Sequence, residues 1–243
     1  MEEIKRLKSM IEEAEKIVLF TGAGVSVPSG IPDFRSSDGL YRGNGMRGYT
    51  PEQIVSHTFF MRYPSEFYRF YREKMVYPNA QPNVAHCYFA ELEKRGKQVI
   101  VVTQNIDGLH QKAGSTRVLE LHGSVYRNYC MRCGKRYNLN EIIASEEIPH
   151  CACGGIIRPD VVLYEESLDY DVITQAINAI KESDLLMIVG TSLAVQPAAS
   201  FISYARGNRV LINKGETASS AYAELIFRDV VENVVRALQV AEE

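Results

Sequence analysis

Four of the five cysteines stand in two short pairs, Cys130-Met131-Arg132-Cys133-Gly134 and Cys151-Ala152-Cys153-Gly154-Gly155. Two such glycine-trailed pairs can place four thiolates in tetrahedral geometry, so Cys130, Cys133, Cys151 and Cys153 read as ligands of one zinc. Four protein ligands leave no open coordination position, which makes the expected role structural. The second pair has one residue between its cysteines instead of two, and a redox dithiol at Cys130 and Cys133 is the competing reading. Cys87 stands alone in an apolar helical pattern and is expected to pack in a core.

A second set of residues follows short apolar runs. After Ile17-Val18-Leu19-Phe20 comes Thr21-Gly22-Ala23-Gly24-Val25-Ser26-Val27-Pro28-Ser29-Gly30, a turn whose glycines would let backbone N–H groups approach a pyrophosphate. It departs from the dehydrogenase fingerprint, because Val27 stands where the third glycine belongs and no acidic residue closes a second strand about twenty residues on. Thr103-Gln104-Asn105-Ile106-Asp107, Leu121-His122-Gly123, Gly190-Thr191-Ser192 and Asn213 each follow another apolar run. One such cluster reads as a loop or cap; five at strand ends read as a ligand-binding edge. Of the five histidines only His122 has this placement, and an imidazole titrating near 6.5 suits a general base. His57, His86, His110 and His150 are assigned no catalytic role.

The elements that must position these groups follow from the apolar pattern. The runs 17–20, 99–102, 118–121, 161–163, 185–189 and 210–212 lack polar alternation, as strands buried on both faces do. With helical patterns between them, they predict a doubly wound, Rossmann-like α/β fold with a parallel sheet. Residues 1–35, 83–124 and 158–243 are expected to form this domain. The aromatic-rich stretch 36–82 would be a helical and cofactor-loop insert, and 125–157 a zinc-binding module. Helical spacing makes Phe67, Phe70 and Tyr71 a packed face, and the glycine-rich 36–49 loop could close over a ligand.

The run GAGVSVPSGIPDFR, followed in order by TQNID, ELHG and GTSL, resembles the sirtuin family nearly end to end. The resemblance implies an NAD-dependent protein-lysine deacetylase that moves the acetyl group to the ADP-ribose of NAD and releases nicotinamide. It implies that Ala23, Phe34, Arg35, Gln104, Thr191, Ser192, Asn213 and Asp229 touch NAD and that Asn105, Ile106 and Asp107 line the nicotinamide pocket. Asn105 and His122 are the implied catalytic pair, with His122 also at the cofactor, and Val161 is the implied peptide contact. Two departures stand out: Val27 where relatives often carry threonine, and Tyr164-Glu165-Glu166 where they commonly have Phe-Gly-Glu. Losing that glycine removes backbone freedom beside the substrate. Family members that prefer succinyl-lysine carry Tyr-x-x-Arg in the aromatic helix; here Tyr68-Arg69-Phe70-Tyr71 puts a tyrosine at the arginine position.

A balance of 27 basic against 30 acidic residues gives a net charge of −3, which argues against a nucleic-acid or anionic-membrane partner. The charged, amphipathic N-terminus does not read as a signal peptide, and the expected setting is the cytoplasm, with acetyl-lysine proteins as partners. A mono-ADP-ribosyltransferase, and a zinc-ribbon module that binds NAD without turnover, are the other readings of the same residues.

Overall fold

A computed structural model of the chain describes residues 1–33, 48–217, 220–221 and 223–242. Phe34 and Arg35, and all of the glycine-rich loop before Gly48, lie outside the described residues.

Helix α1 (Glu2–Glu13) buries Leu7 and Ile11 and leads into strand β1 (Lys16–Thr21), of which only the first residue is exposed. Helices α2 (Pro51–Ile54), α3 (His57–Arg62), α4 (Pro64–Lys74) and α5 (Val84–Lys94) come next. Then follow β2 (Gln98–Thr103), α6 (Leu109–Ala113), β3 (Val118–Glu120), β4 (Gly123–Cys130), β5 (Arg136–Tyr137), α7 (Leu139–Ala144) and β6 (Ile157–Val161). The chain ends with α8 (Tyr170–Glu182), β7 (Leu185–Val189), a 3-10 helix (Ala198–Tyr204), β8 (Asn208–Ile212), β9 (Leu225–Phe227) and α9 (Val231–Glu242).

Six strands form one parallel sheet in the order β3-β2-β1-β7-β8-β9. Side chains alternate across it. Ile17, Leu19, Val99, Val101, Leu185, Met187, Val210 and Ile212 pack with α1, α5 and α9 on one face. Val18, Phe20, Val102, Leu186, Ile188 and Leu211 pack with α8 and the 3-10 helix on the other. Both faces are therefore covered, which explains the unbroken apolar runs. The chain builds outward from β1 through β2 to β3, then crosses to β7 on the other side. The order thus reverses between β1 and β7, and their carboxyl ends form the topological switch point.

Two expectations are corrected. The 161–163 run is not in the parallel sheet: β6 pairs antiparallel with β4 in a separate sheet ordered β5-β4-β6. The sixth parallel strand is β9, whose three residues give too short a run to read as a strand. Cys87 is exposed on α5; its neighbours Ala85, His86, Tyr88 and Phe89 are buried, and it falls on the outward face of the same turns.

A third core joins the antiparallel sheet to α2, α3 and α4. It contains Phe59, Phe60, Phe67, Tyr68, Phe70 and Tyr71 together with Val161 and Leu163. Phe60 and Phe67 meet edge to face at 4.9 Å between centroids, and Phe67 and Tyr71 stack at 5.7 Å. The Tyr68 hydroxyl donates to the Ile157 carbonyl at 2.6 Å, whereas the fully buried Tyr71 hydroxyl has no partner among the described residues. An unpartnered buried hydroxyl is a net loss, and a paired one a net gain. Tyr71→Phe is therefore expected to leave stability unchanged or raise it by about 1 kcal/mol, while Tyr68→Phe lowers it by about 1–2 kcal/mol. Urea unfolding of both variants checks this; a larger loss for Tyr71→Phe would contradict it.

Candidate active site

The site begins with a steric constraint at the switch point. Gly24 N–H donates to the Gly190 carbonyl at 2.8 Å, and Gly22 N–H to the Val189 carbonyl at 3.1 Å. A Cβ on Gly24 would lie 2.8 Å from the Gly190 oxygen, and one on Gly190, whose φ is +59°, would lie 2.5 Å from Val25 N. The glycines are thus required for the turn after β1 to pack against the turn after β7. That contact makes one wall of a cavity of about 1320 Å³.

Most of the candidate residues line this one cavity: Ala23, Gln104, Asn105, Ile106, His122, Val161, Thr191, Ser192, Asn213 and Asp229. Asp107 is not on its wall. Its carboxylate accepts from Ser26 Oγ at 2.7 Å and from the Leu109 N–H at 2.9 Å, and its burial raises its pKa against these two bonds. Ser26, which the sequence reading did not single out although it lies within the glycine-rich run, is the hub. Its hydroxyl also accepts from Asn105 Nδ2 at 3.1 Å, and that same amide donates to the Gly22 carbonyl at 3.2 Å. The Asn105 amide NH₂ is thereby committed to two acceptors, and its orientation is set by the partners.

His122 is held from two sides. Its Nδ1 lies 2.9 Å from the Gln104 carbonyl oxygen. A carbonyl only accepts, so Nδ1 carries the proton and Nε2 keeps a lone pair. Burial holds the imidazole's pKa below its ordinary value, with the Gln104 carbonyl pulling the other way. The following Gly123 sits at φ +77°, where a Cβ would lie 2.0 Å from the Asp160 oxygen, so the approach of β4 to β6 requires glycine there. Gln104 is fixed in turn by its Nε2 donating to Thr191 Oγ1 at 3.0 Å. At the far end, Asn213 Nδ2 donates to the Gly215 carbonyl and Asp229 Oδ1 accepts from Val230 N–H and Asn233 Nδ2.

His110 and His86 are buried behind β1, 4.8 Å apart between ring centroids, with His110 Nε2 3.2 Å from Thr21 Oγ1. Burial pushes the His86 pKa down to about 4 and that of His110 well below its ordinary value. Neither lines the cavity.

On the β6 side, the segment 162–166 is bound to α2 and α3: Tyr164 N–H donates to Val55 O, and His57 N–H to Tyr164 O, both at 3.0 Å. Glu166 bridges Arg158 at 2.5 Å and His57 Nδ1 at 2.7 Å and accepts from the Leu163 N–H. Glu165, at the position of the missing glycine, adopts the left-handed φ of +76° that glycine favours. Its carboxylate accepts from the Thr58 N–H at 2.8 Å.

The four clustered cysteines lie away from the cavity wall. Their sulfurs are within 4.8 Å of one another, with Cys130–Cys153 at 3.4 Å and Cys133–Cys151 at 3.6 Å. Zinc–sulfur bonds of about 2.3 Å in tetrahedral geometry require sulfur–sulfur edges of roughly 3.8 Å, so this donor set fits one zinc. Gly134 and Gly154, both left-handed, turn the two knuckles.

A Rossmann-like sheet with its cavity at the switch point, a buried histidine on the wall of that cavity and a four-cysteine cluster on one side together point to a nucleotide-dependent enzyme with a structural metal. The model of the Sir2 family matches residues 22–197. The chain is 54% identical over 237 residues to an NAD-dependent protein deacetylase of Clostridium perfringens, covering 96% of this chain and 97% of that one. It is 51% identical over 238 residues to one of Clostridium acetobutylicum, with 97% of each covered. Among solved structures it resembles a Sir2 with peptide and NAD+ (TM-score 0.86, 37% identity, 98% of each chain) and a Sir2 bound to acetylated peptide (TM-score 0.86, 36% identity, 98% of each). The chain belongs to the Sir2 family.

Because a structural zinc contributes folding free energy directly, purified protein is expected to carry about one zinc per chain. Cys133→Ala should lose both the metal and the cooperative unfolding transition. Elemental analysis and thermal melts check this, and zinc-free protein that folds and melts normally would contradict it.

Proposed function

We propose that the chain is an NAD-dependent protein-lysine deacetylase, transferring the acetyl group from lysine to the ADP-ribose of NAD with release of nicotinamide. The observation that carries the reading is His122: an imidazole whose tautomer is fixed by the Gln104 carbonyl and which lines the same cavity as Asn105 and the switch-point glycines.

NAD, when bound, supplies an electrophilic ribose carbon and a nicotinamide leaving group. Ala23, Gln104, Thr191, Ser192, Asn213 and Asp229 would hold it along the carboxyl edge of the sheet, where the glycines of the two turns let the cofactor approach the backbone closely. Asn105 and Ile106 would enclose the nicotinamide end and exclude water, with Asp107 anchoring Ser26 and Asn105 from behind. Phe34 and Arg35 are assigned to the cofactor on the sequence resemblance alone. The acyl-lysine would enter beside Val161, and His122 Nε2 would take the proton of the ribose 2′-hydroxyl. The zinc would clamp the 125–157 module, leaving the chemistry to the remainder of the chain. The expected partners are acetylated proteins, without nucleic acid or membrane. Among the described residues no helix is long and apolar enough to cross a membrane. We place the protein in the cytoplasm, where thiolates stay reduced for zinc.

Acyl selectivity follows from the aromatic helix. Arg72 donates to the Glu146 and Glu147 carbonyls at 2.8 and 2.9 Å, Arg69 is exposed, and neither lines the cavity. Among the described residues that do line it, the single cation is Lys214, in the loop after β8. A carboxylate on the acyl chain would be desolvated without a partner, so kcat/KM for an acetyl peptide is expected to exceed that for the matched succinyl peptide by about tenfold or more. A higher value for succinyl would show that a guanidinium reaches the pocket.

His122→Ala should lower deacetylation by about 10²–10⁴ while NAD binding persists. Because burial lowers the imidazole pKa and the neutral form is the base, kcat/KM should rise with pH through a value below about 6.5 and stay flat above it. Undiminished turnover by His122→Ala would remove His122 from the mechanism.

A further inference from the structure

The cavity that His122 lines also carries, at Glu165, a charge that the fold goes out of its way to keep. Glu165 occupies a left-handed backbone position, φ +76°, that L side chains rarely adopt. Such positions persist where the surroundings over-determine them and concentrate at ligand-contacting sites. Here the surroundings do so: Tyr164 is tied through its N–H to Val55 and through its carbonyl to His57, Glu166 N–H donates to the Leu163 carbonyl, and the Glu165 carboxylate is pinned on the Thr58 N–H.

The two neighbouring acids differ in their charge state as a ligand would see it. Glu166 is neutralised by Arg158 at 2.5 Å and also bonds His57 Nδ1. Glu165 is exposed, and among the described residues no lysine or arginine lies within ion-pair distance of it. Its hydrogen bond to Thr58 favours the ionised form, so the carboxylate is charged at neutral pH. Both residues line the cavity together with Val161, Leu163 and His122. The backbone N–H and C=O of Glu165 have no partner among the described residues, leaving both available to an extended chain laid along this edge.

We infer that Glu165 is a specificity-determining residue, selecting protein substrates with a lysine or arginine within a few residues of the acyl-lysine. The inference rests on the deacetylase reading and adds to it a charge rule for the peptide. The attraction is between exposed groups, so its size is modest and it is screened by salt.

The test uses the full chain with NAD and a set of acetyl-lysine peptides carrying Arg, Ala or Glu singly at each of the two positions before and after the acetyl-lysine. The quantity read is the kcat/KM ratio of the Arg to the Glu peptide within each protein, so a general loss of activity in a variant cancels. Wild type is expected to favour Arg over Glu by about two- to fivefold at one or more positions, mainly through KM. The ratio should fall towards one in Glu165→Gln, and in wild type at about 0.5 M salt. The salt series stands by itself should Glu165→Gln fail to fold. No charge preference at any position, a preference for Glu, or an Arg preference unchanged in Glu165→Gln would overturn the inference while leaving the deacetylase reading intact. Absence of turnover with every peptide would overturn that reading, and this inference with it.

Discussion

The close approach of two turns at the centre of the sheet is the constraint on which the rest depends. Where the strand order reverses, the turn after β1 and the turn after β7 meet through the Gly24–Gly190 hydrogen bond, with no room for a Cβ on either side. That contact positions the Gly22 carbonyl for Asn105 and sets Thr191 where it holds Gln104. Gln104 in turn offers its carbonyl to His122. A chain of hydrogen bonds thus runs from the steric fit of glycines to the tautomer of the proposed base, and each step restricts the next side chain to one orientation.

The same economy holds on the other wall. The aromatic core under α4 carries β6, and β6 carries Val161 and the strained turn at Glu165. The zinc module closes the far end of that core: Cys130 lies on β4 and is buried with Ile157 of β6. Losing the metal would therefore loosen the wall that the substrate meets, although no cysteine lines the cavity.

Much of this was legible in the sequence, for physical reasons. Strands buried on both faces announce themselves as unbroken β-branched runs, and polar groups at their ends mark the binding edge. The run 161–163 looks like a buried strand because Val161, the last residue of β6, and Leu163, just beyond the strand, are both buried against the aromatic core. Leu225–Phe227 was too short to register. Asp107 was visible as a polar residue after β2, but nothing local shows that its carboxylate would be used behind the wall by Ser26 and Leu109. Cys87 sits in an apolar helix yet faces outward, a distinction of about one residue in helical phase. In the sequence, the turn at Glu165 shows only as a lost glycine; that the chain keeps the glycine conformation and pins the acid on Thr58 is a tertiary property.

In the proposed mechanism, cleavage of NAD in this cavity is coupled to an acyl-lysine. It is tested most directly by incubating the protein with NAD, with and without an acetylated peptide, and following nicotinamide and peptide mass together. Nicotinamide release is expected to require the peptide and to match, one for one, the acetyl groups lost from it. Release of nicotinamide at the same rate without peptide, or peptide modified by addition of ADP-ribose instead of loss of acetyl, would contradict it.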